Sequence, residues 1–257
     1  MVRRTTKPEN SDLLAKTIEN IDTRLPSGLN TKTLTLAEQI ANRIADLIIS
    51  GKYQPGQRVS EQELASLFSV SRGLVREALR ILEKEDFVRI LPRRFTEITR
   101  LSPREVEQIF EIRAALISLA ARLTTERITE DVTHYMQWSI PEVEQRAAAD
   151  NVGEFLRLVY RLSMFLTESS RNEKLEAMFV SMSRQTLALT HRVLSKSPNR
   201  KRWARNWQRL ARAIIKGDVD GASGAANQLV LETGRWVEEE ARMMDEPEQS
   251  AQASGNN

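Results

Sequence analysis

Residues 60–80 read Ser-Glu-Gln-Glu-Leu-Ala-Ser-Leu-Phe-Ser-Val-Ser-Arg-Gly-Leu-Val-Arg-Glu-Ala-Leu-Arg. Two helix starts lie in this stretch, at Ser60 and Ser71. Ser60 with Glu63 predicts a capping box, the hydroxyl accepting from the Glu63 N–H while the Glu63 carboxylate reaches back. Leu64 and Leu67 supply one short apolar face, and Phe68-Ser69-Val70 interrupts it. After Ser71, Leu74, Val75, Leu79, Ile81 and Leu82 recur at helical spacing. A short helix, a tight turn and a second helix make a helix-turn-helix, whose second helix enters the major groove N-terminus first. Ser71, Arg72, Gly73 and Arg76 occupy its first two turns. Ser71 and the free backbone N–H groups suit a phosphate, and Gly73 lets the backbone come close. Arg72 suits a base edge, because a guanidinium pairs bidentately with guanine O6 and N7. A plain αα-hairpin with surface arginines is the blander reading of the same residues.

Outward on the N-terminal side, Thr35 caps a helix marked by Leu36, Ile40, Ile44 and Ile48, and Gly51 stops it. Tyr53-Gln54-Pro55-Gly56 is a turn. Arg58 and Val59 lead into the Ser60 cap, and Arg58 joins the candidate DNA contacts. On the other side, Phe87–Leu91 and Phe95–Ile98 read as two strands around Pro92-Arg93-Arg94. Three helices and a two-stranded wing predict a winged helix-turn-helix over residues 34–100. Arg93 and Arg94 at the wing tip suit phosphates or a minor groove, whose negative potential attracts arginine. Residues 1–33 are a polar arm, read as mobile, with room for one short helix between Asp12 and Asp22 and a basic start at Arg3, Arg4 and Lys7.

From Leu101 the texture becomes long helical periodicity without strands. Ser102-Pro103 opens a helix reaching about Leu123, Thr129 caps one reaching about Ala147, and Pro141 inside it should kink or divide it. Further helices follow at about Asn151–Glu168, Glu173–Leu194, Asn199–Lys216 and Asp218–Met244. Short loops predict an antiparallel bundle of six or seven helices over residues 101–244. Residues 245–257 read as a disordered tail.

Composition narrows the function. The chain has 257 residues, no cysteine and two histidines, His134 and His191. Disulfides, zinc fingers and thiol nucleophiles are thereby excluded. Both histidines read as surface or hydrogen-bonded groups. Residues 1–100 hold 17 Lys+Arg against 13 Asp+Glu, and the remainder 21 against 22, so the basic excess sits with the helix-turn-helix. No apolar run of membrane length and no secretory pattern occur, which makes a cytoplasmic, membrane-free protein the expectation.

The stretch PGQRVSEQELASLFSVSRGLVREALRILEKEDFV, Pro55 to Val88, resembles the winged helix-turn-helix of GntR-type bacterial transcription regulators. With the helical region behind it, the chain resembles the FadR subfamily, whose effector domain is called FCD. The resemblance covers residues 34–244. It implies a homodimer on a palindromic operator, usually as a repressor, controlled by a small metabolite in the bundle. It places DNA contacts at Ser71, Arg72 and Arg76, and puts Gln62 where some members carry arginine. The wing tip, commonly glycine, holds Arg93 and Arg94 here.

Most members of that subfamily bind a divalent metal through an aspartate and three histidines. Those positions fall here on Val159, Ser163, Trp207 and Leu229, so no metal and no cofactor is expected. The subfamily's Arg-x-x-Leu-Glu pattern reads Arg113-Ala-Ala-Leu116-Ile117, which keeps the arginine and loses the glutamate. Arg113, Ile117, Val159, Ser163, Trp207 and Leu229 are therefore the candidate effector residues, suited to an organic anion with an apolar or aromatic part. The alternatives are plain core filling with Arg113 in a structural ion pair, a plugged domain that only dimerises, or an interaction scaffold. No nucleophile–base pattern supports an enzyme.

Overall fold

The computed structural model describes residues 34–91 and 95–254, with side chains described as far as residue 245. Ten helices and one three-stranded sheet make up these residues. The N-terminal unit runs α1 (Leu36–Ile49), β1 (Arg58–Ser60), α2 (Glu61–Phe68), α3 (Arg72–Lys84), β2 (Val88–Leu91) and β3 (Phe95–Ile98). Each of these three helix starts carries its cap. Thr35 and Glu38 form a full capping box on α1. Ser60 Oγ accepts from Glu63 N at 3.1 Å, and Ser71 Oγ accepts from Leu74 N at 3.3 Å. The box expected at Ser60 is only half formed, since the Glu63 carboxylate accepts instead from the Tyr53 hydroxyl at 3.4 Å. The helix-turn-helix turn passes through Ser69, left-handed at φ 56°.

The expected two-stranded wing is a three-stranded antiparallel sheet in the order β1-β3-β2. Val59 of β1 sits opposite Thr96, and Arg89 of β2 opposite Glu97. Three residues are too few for an alternation to be seen in sequence, and Val59 is buried where its neighbour Arg58 is exposed. The core of this unit gathers Ile40, Ile44, Leu64, Val75, Leu79, Leu82, Phe87 and Ile98. Burying each such side chain contributes about 1.5–3 kcal/mol.

The C-terminal unit holds seven helices: α4 (Pro103–Glu126), α5 (Glu130–Ala148), α6 (Val152–Ser169), α7 (Glu173–Gln185), α8 (Leu187–Ser195), α9 (Ser197–Ile215) and α10 (Val219–Ser254). The seventh arises because the single helix expected over Glu173–Leu194 divides at Thr186. Pro141 does not divide α5, which stays continuous through it. The final helix passes the expected end at Met244 and the start of the expected disordered tail, reaching Ser254. Residues 1–33, with the expected arm and its short helix, lie outside the described residues.

α10 packs antiparallel along α4. Ser118 Oγ donates to the Ser223 carbonyl at 3.0 Å, and near the other end a Cβ on Gly234 would stand 2.7 Å from Phe110. Glycine is what lets the two helices come this close. The two units meet where α8 touches α1, and Arg100 holds Asp245 at 2.6 Å.

Candidate DNA surface and bundle cavity

The first turns of α3 are open to solvent. Ser71, Arg72, Gly73 and Arg76 are exposed, as are Arg58 and Gln62. Arg72 Nη2 donates to Gln62 Oε1 at 2.9 Å, so the two lie side by side across the helix-turn-helix. Arg76 donates from Nε and Nη2 to the two Glu61 oxygens at 2.8 and 2.7 Å. That contact holds the Arg76 guanidinium above its ordinary pKa. Arg58 lies 3.6 Å from Glu97 on the neighbouring strand. Arg93 and Arg94 lie outside the described residues. A row of guanidinium and amide groups at a free helix N-terminus can take phosphates and a base edge. Glu61 was not singled out from sequence, because its contact with Arg76, 15 residues further on, is a tertiary one.

Inside the bundle, all six residues named from sequence line one cavity: Arg113, Ile117, Val159, Ser163, Trp207 and Leu229. Helices α4, α6, α9 and α10 each contribute. Arg113 is buried, and its Nη1 donates to Thr186 Oγ1 at 2.7 Å. Its guanidinium carbon sits 4.5 Å from the Phe110 ring centre and 5.5 Å from that of Phe179. Among the described residues no carboxylate pairs with it, so the structural ion pair is not there. Burial works against its charge, and neighbouring Tyr160 acts weakly the other way. It stays a cation because guanidinium titrates far above neutrality. Arg113 Nε, Ser183 Oγ and Thr190 Oγ1 are buried without a hydrogen-bond partner. The cavity thus holds an uncompensated positive charge with unused polar atoms around it.

Its remaining walls are apolar and tightly held. Trp207 stacks on Trp203 with ring centres 5.8 Å apart and donates to Ser139 Oγ at 2.9 Å. Ser163 Oγ donates to the Val159 carbonyl at 2.9 Å, and the Tyr160 hydroxyl to the Ser183 carbonyl at 2.5 Å. Burial pushes the Tyr160 phenol well up, against the smaller opposite effect of Arg113 and Arg184. The space open to the centre of a water molecule is about 30 Å³. That suits a water or two, whereas metabolite pockets run to roughly 300 Å³ and above. Valine, tryptophan and leucine offer no coordinating atom, and the Ser163 hydroxyl already serves its own helix. These residues do not fit a metal ion, and among the described residues no three of His, Cys, Asp or Glu gather elsewhere. Sequence reading missed Phe110, Tyr160, Phe179 and Trp203. Phe110 and Trp203 stand three and four residues before Arg113 and Trp207, a spacing that puts each on its neighbour's face.

Two family models match the chain. Residues 36–98 match the bacterial regulatory proteins of the gntR family, and residues 108–232 match the FCD domain. The chain carries a gntR-family winged helix and an FCD domain. Among curated relatives, an uncharacterized HTH-type transcriptional regulator of Bacillus subtilis, YdhC, is 31% identical over 141 residues, 54% of this chain and 62% of the relative. The Nta operon transcriptional regulator of Aminobacter aminovorans is 30% identical over 129 residues, 50% of this chain and 61% of that one. The alignments with these two relatives thus span about three fifths of their length. Among solved structures, E. coli McbR/YncC superposes with a TM-score of 0.66 at 18% identity, covering 81% of this chain and 99% of that one. That likeness is one of fold. The cavity described above lies within the FCD domain, and α3 within the gntR-family domain. The described residues include no helix long and apolar enough to cross a membrane.

Proposed function

We propose that the protein is a sequence-specific transcription regulator, of the cytoplasm, that binds a palindromic operator as a homodimer and answers to a small organic anion. The observation that carries this reading is the exposed N-terminal turn of α3, where Arg72 and Gln62 stand together. Two copies would place two recognition helices in successive major grooves, about one helical turn apart. A second copy has a face to meet. Ile109, Ile112, Leu116, Leu119 and Leu123 recur at three and four residues along α4, all at least partly exposed. Repression is the direction we assign, in keeping with relatives whose names include a gluconate operon repressor of Bacillus licheniformis.

The effector we assign is metal-independent: an anion held by Arg113, with an apolar or aromatic body displacing the Trp203–Trp207 stack. α8 connects this cavity to the DNA-binding unit, since Thr190 lines the cavity while α8 touches α1. A ligand bound more tightly in one arrangement of α8 shifts the DNA-competent population by that difference. The small free volume favours a second reading, a permanently plugged domain that serves dimerisation. Selection from a random duplex library tests the DNA reading: enrichment of a two-half-site palindrome supports it, and recovery of no sequence overturns it. Melting with a panel of aryl and alkyl carboxylates separates open from plugged, because a binding anion raises the transition and a plugged domain gives none.

A further inference from the structure

α9 presents a continuous cationic stripe to solvent. Between Ser197 and Gly217 the chain has seven Lys+Arg and no Asp or Glu. Arg200 turns inward, where it caps the carbonyls of Leu194 and Ser195 at 3.1 and 2.7 Å. The other six are exposed, and Arg202, Arg205, Arg209, Arg212 and Lys216 recur at three and four residues along one face. From Arg202 to Lys216 the stripe is about 21 Å long at 1.5 Å rise per residue. Arg202 pairs with Glu232, and Arg209 donates to Gln228 Oε1 at 2.8 Å. Lys201, Arg205, Arg212 and Lys216 have no polar partner among the described residues. Among the described residues α9 packs chiefly on α5 and α10.

We propose that this stripe is a second DNA contact, holding duplex phosphates without regard to sequence. It goes beyond the operator reading and rests on it only in taking DNA as the partner. The chemistry favours a phosphate polymer. Four of the five regularly spaced groups are guanidinium forks, which fit phosphate oxygens, and the regular spacing suits a partner of repeating charge. An anionic membrane asks for apolar side chains on the outward face. Here Trp203, Trp207, Leu210 and Ile214 are all buried in the bundle. The same inward turn leaves an acidic protein no aromatic anchor.

The test is a salt titration of binding to a 60-bp duplex of random sequence, a length taken at roughly six helical turns. Wild type is compared with Arg205→Ala/Arg212→Ala/Lys216→Ala. Each lost phosphate contact lowers the slope of log K against log salt by about 0.9, so the triple variant should lose about 2–3 per protomer. Between 50 and 200 mM salt that amounts to roughly 40-fold less weakening. Arg205→Lys/Arg212→Lys keeps the charge and should keep the slope, which separates lost charge from a disturbed fold. An unchanged slope in the triple variant overturns the proposal. So does an unchanged slope accompanied by lost binding to phosphatidylserine vesicles, which would assign the stripe to a membrane. Arg72→Ala/Arg76→Ala, assayed on the selected palindrome, reports on the operator reading separately. If that variant keeps its sequence preference, the recognition helix fails while the stripe still stands on the random duplex.

Discussion

Arg76 and Glu61 close a two-pronged ion pair across the helix-turn-helix, at 2.8 and 2.7 Å. The pair joins α2 to the second turn of α3, so the Arg76 guanidinium is held by Glu61 in the free protein. Glu61→Gln releases it. The slope of non-specific DNA binding against salt should then rise by about one. A slope equal to that of wild type would show that Arg76 stays clear of the phosphates even when free.

Arg113 separates a ligand group from a structural one. It is a buried cation with no carboxylate among the described residues, and a buried charge without its counter-ion is costly. Arg113→Met keeps the length and removes the charge. We expect thermal stability at or above that of wild type, with any response to organic carboxylates abolished. A loss of more than about 2 kcal/mol would mark Arg113 as a structural residue instead.

Trp207 fills the space where an effector body would sit, with 1% of its surface exposed. Trp207→Ala should cost about 3–5 kcal/mol in chemical denaturation, the usual cost of deleting a buried aromatic ring. A loss below about 1 kcal/mol would mean that the ring is already loosely held, ready to make way.

Glu240 ties α8 to α10 by accepting from Arg192 at 3.0 Å and from Lys196 at 2.9 Å. Burial alone would raise its carboxyl, but the hydrogen bonds and charges of Lys196 and Arg192 together outweigh it and hold it below the ordinary value. A depressed carboxyl stabilises the fold above its unfolded pKa, and the contribution is lost as pH falls through the folded one. Wild type should therefore melt above Glu240→Gln at pH 7. The gap should close as pH drops below the ordinary carboxylate value near 4.5. A gap that does not narrow at all as pH falls below that value would contradict the assignment.

Much of this was legible in the chain, and what was not has physical causes. Ser60 and Ser71 mark the helix-turn-helix because a cap is a local interaction, readable from a few residues. The cavity residues were legible through the resemblance, which put Val159, Ser163, Trp207 and Leu229 at the places of the subfamily's metal ligands, and all four line one cavity. The break at Thr186 was not. No glycine or proline marks it, and Thr186 accepts from Arg113, 73 residues earlier. Nor was the closed state of the cavity, which depends on how Trp203 and Trp207 stack. The three-residue β1 is too short for periodicity, and Pro141 leaves α5 continuous although it lacks an N–H for the helix ladder. The basic face of α9 was visible as composition, but only the inward turn of its apolar side shows that the stripe stands alone.

The most direct test is the affinity of wild type and Arg72→Ala for the selected palindrome and for a scrambled duplex at one salt concentration. A guanine-reading arginine predicts a loss of about 1–3 kcal/mol on the palindrome, with little change on the scrambled duplex. Equal loss on both would make Arg72 a phosphate contact. No loss on either would remove α3 from the DNA interface and contradict the account.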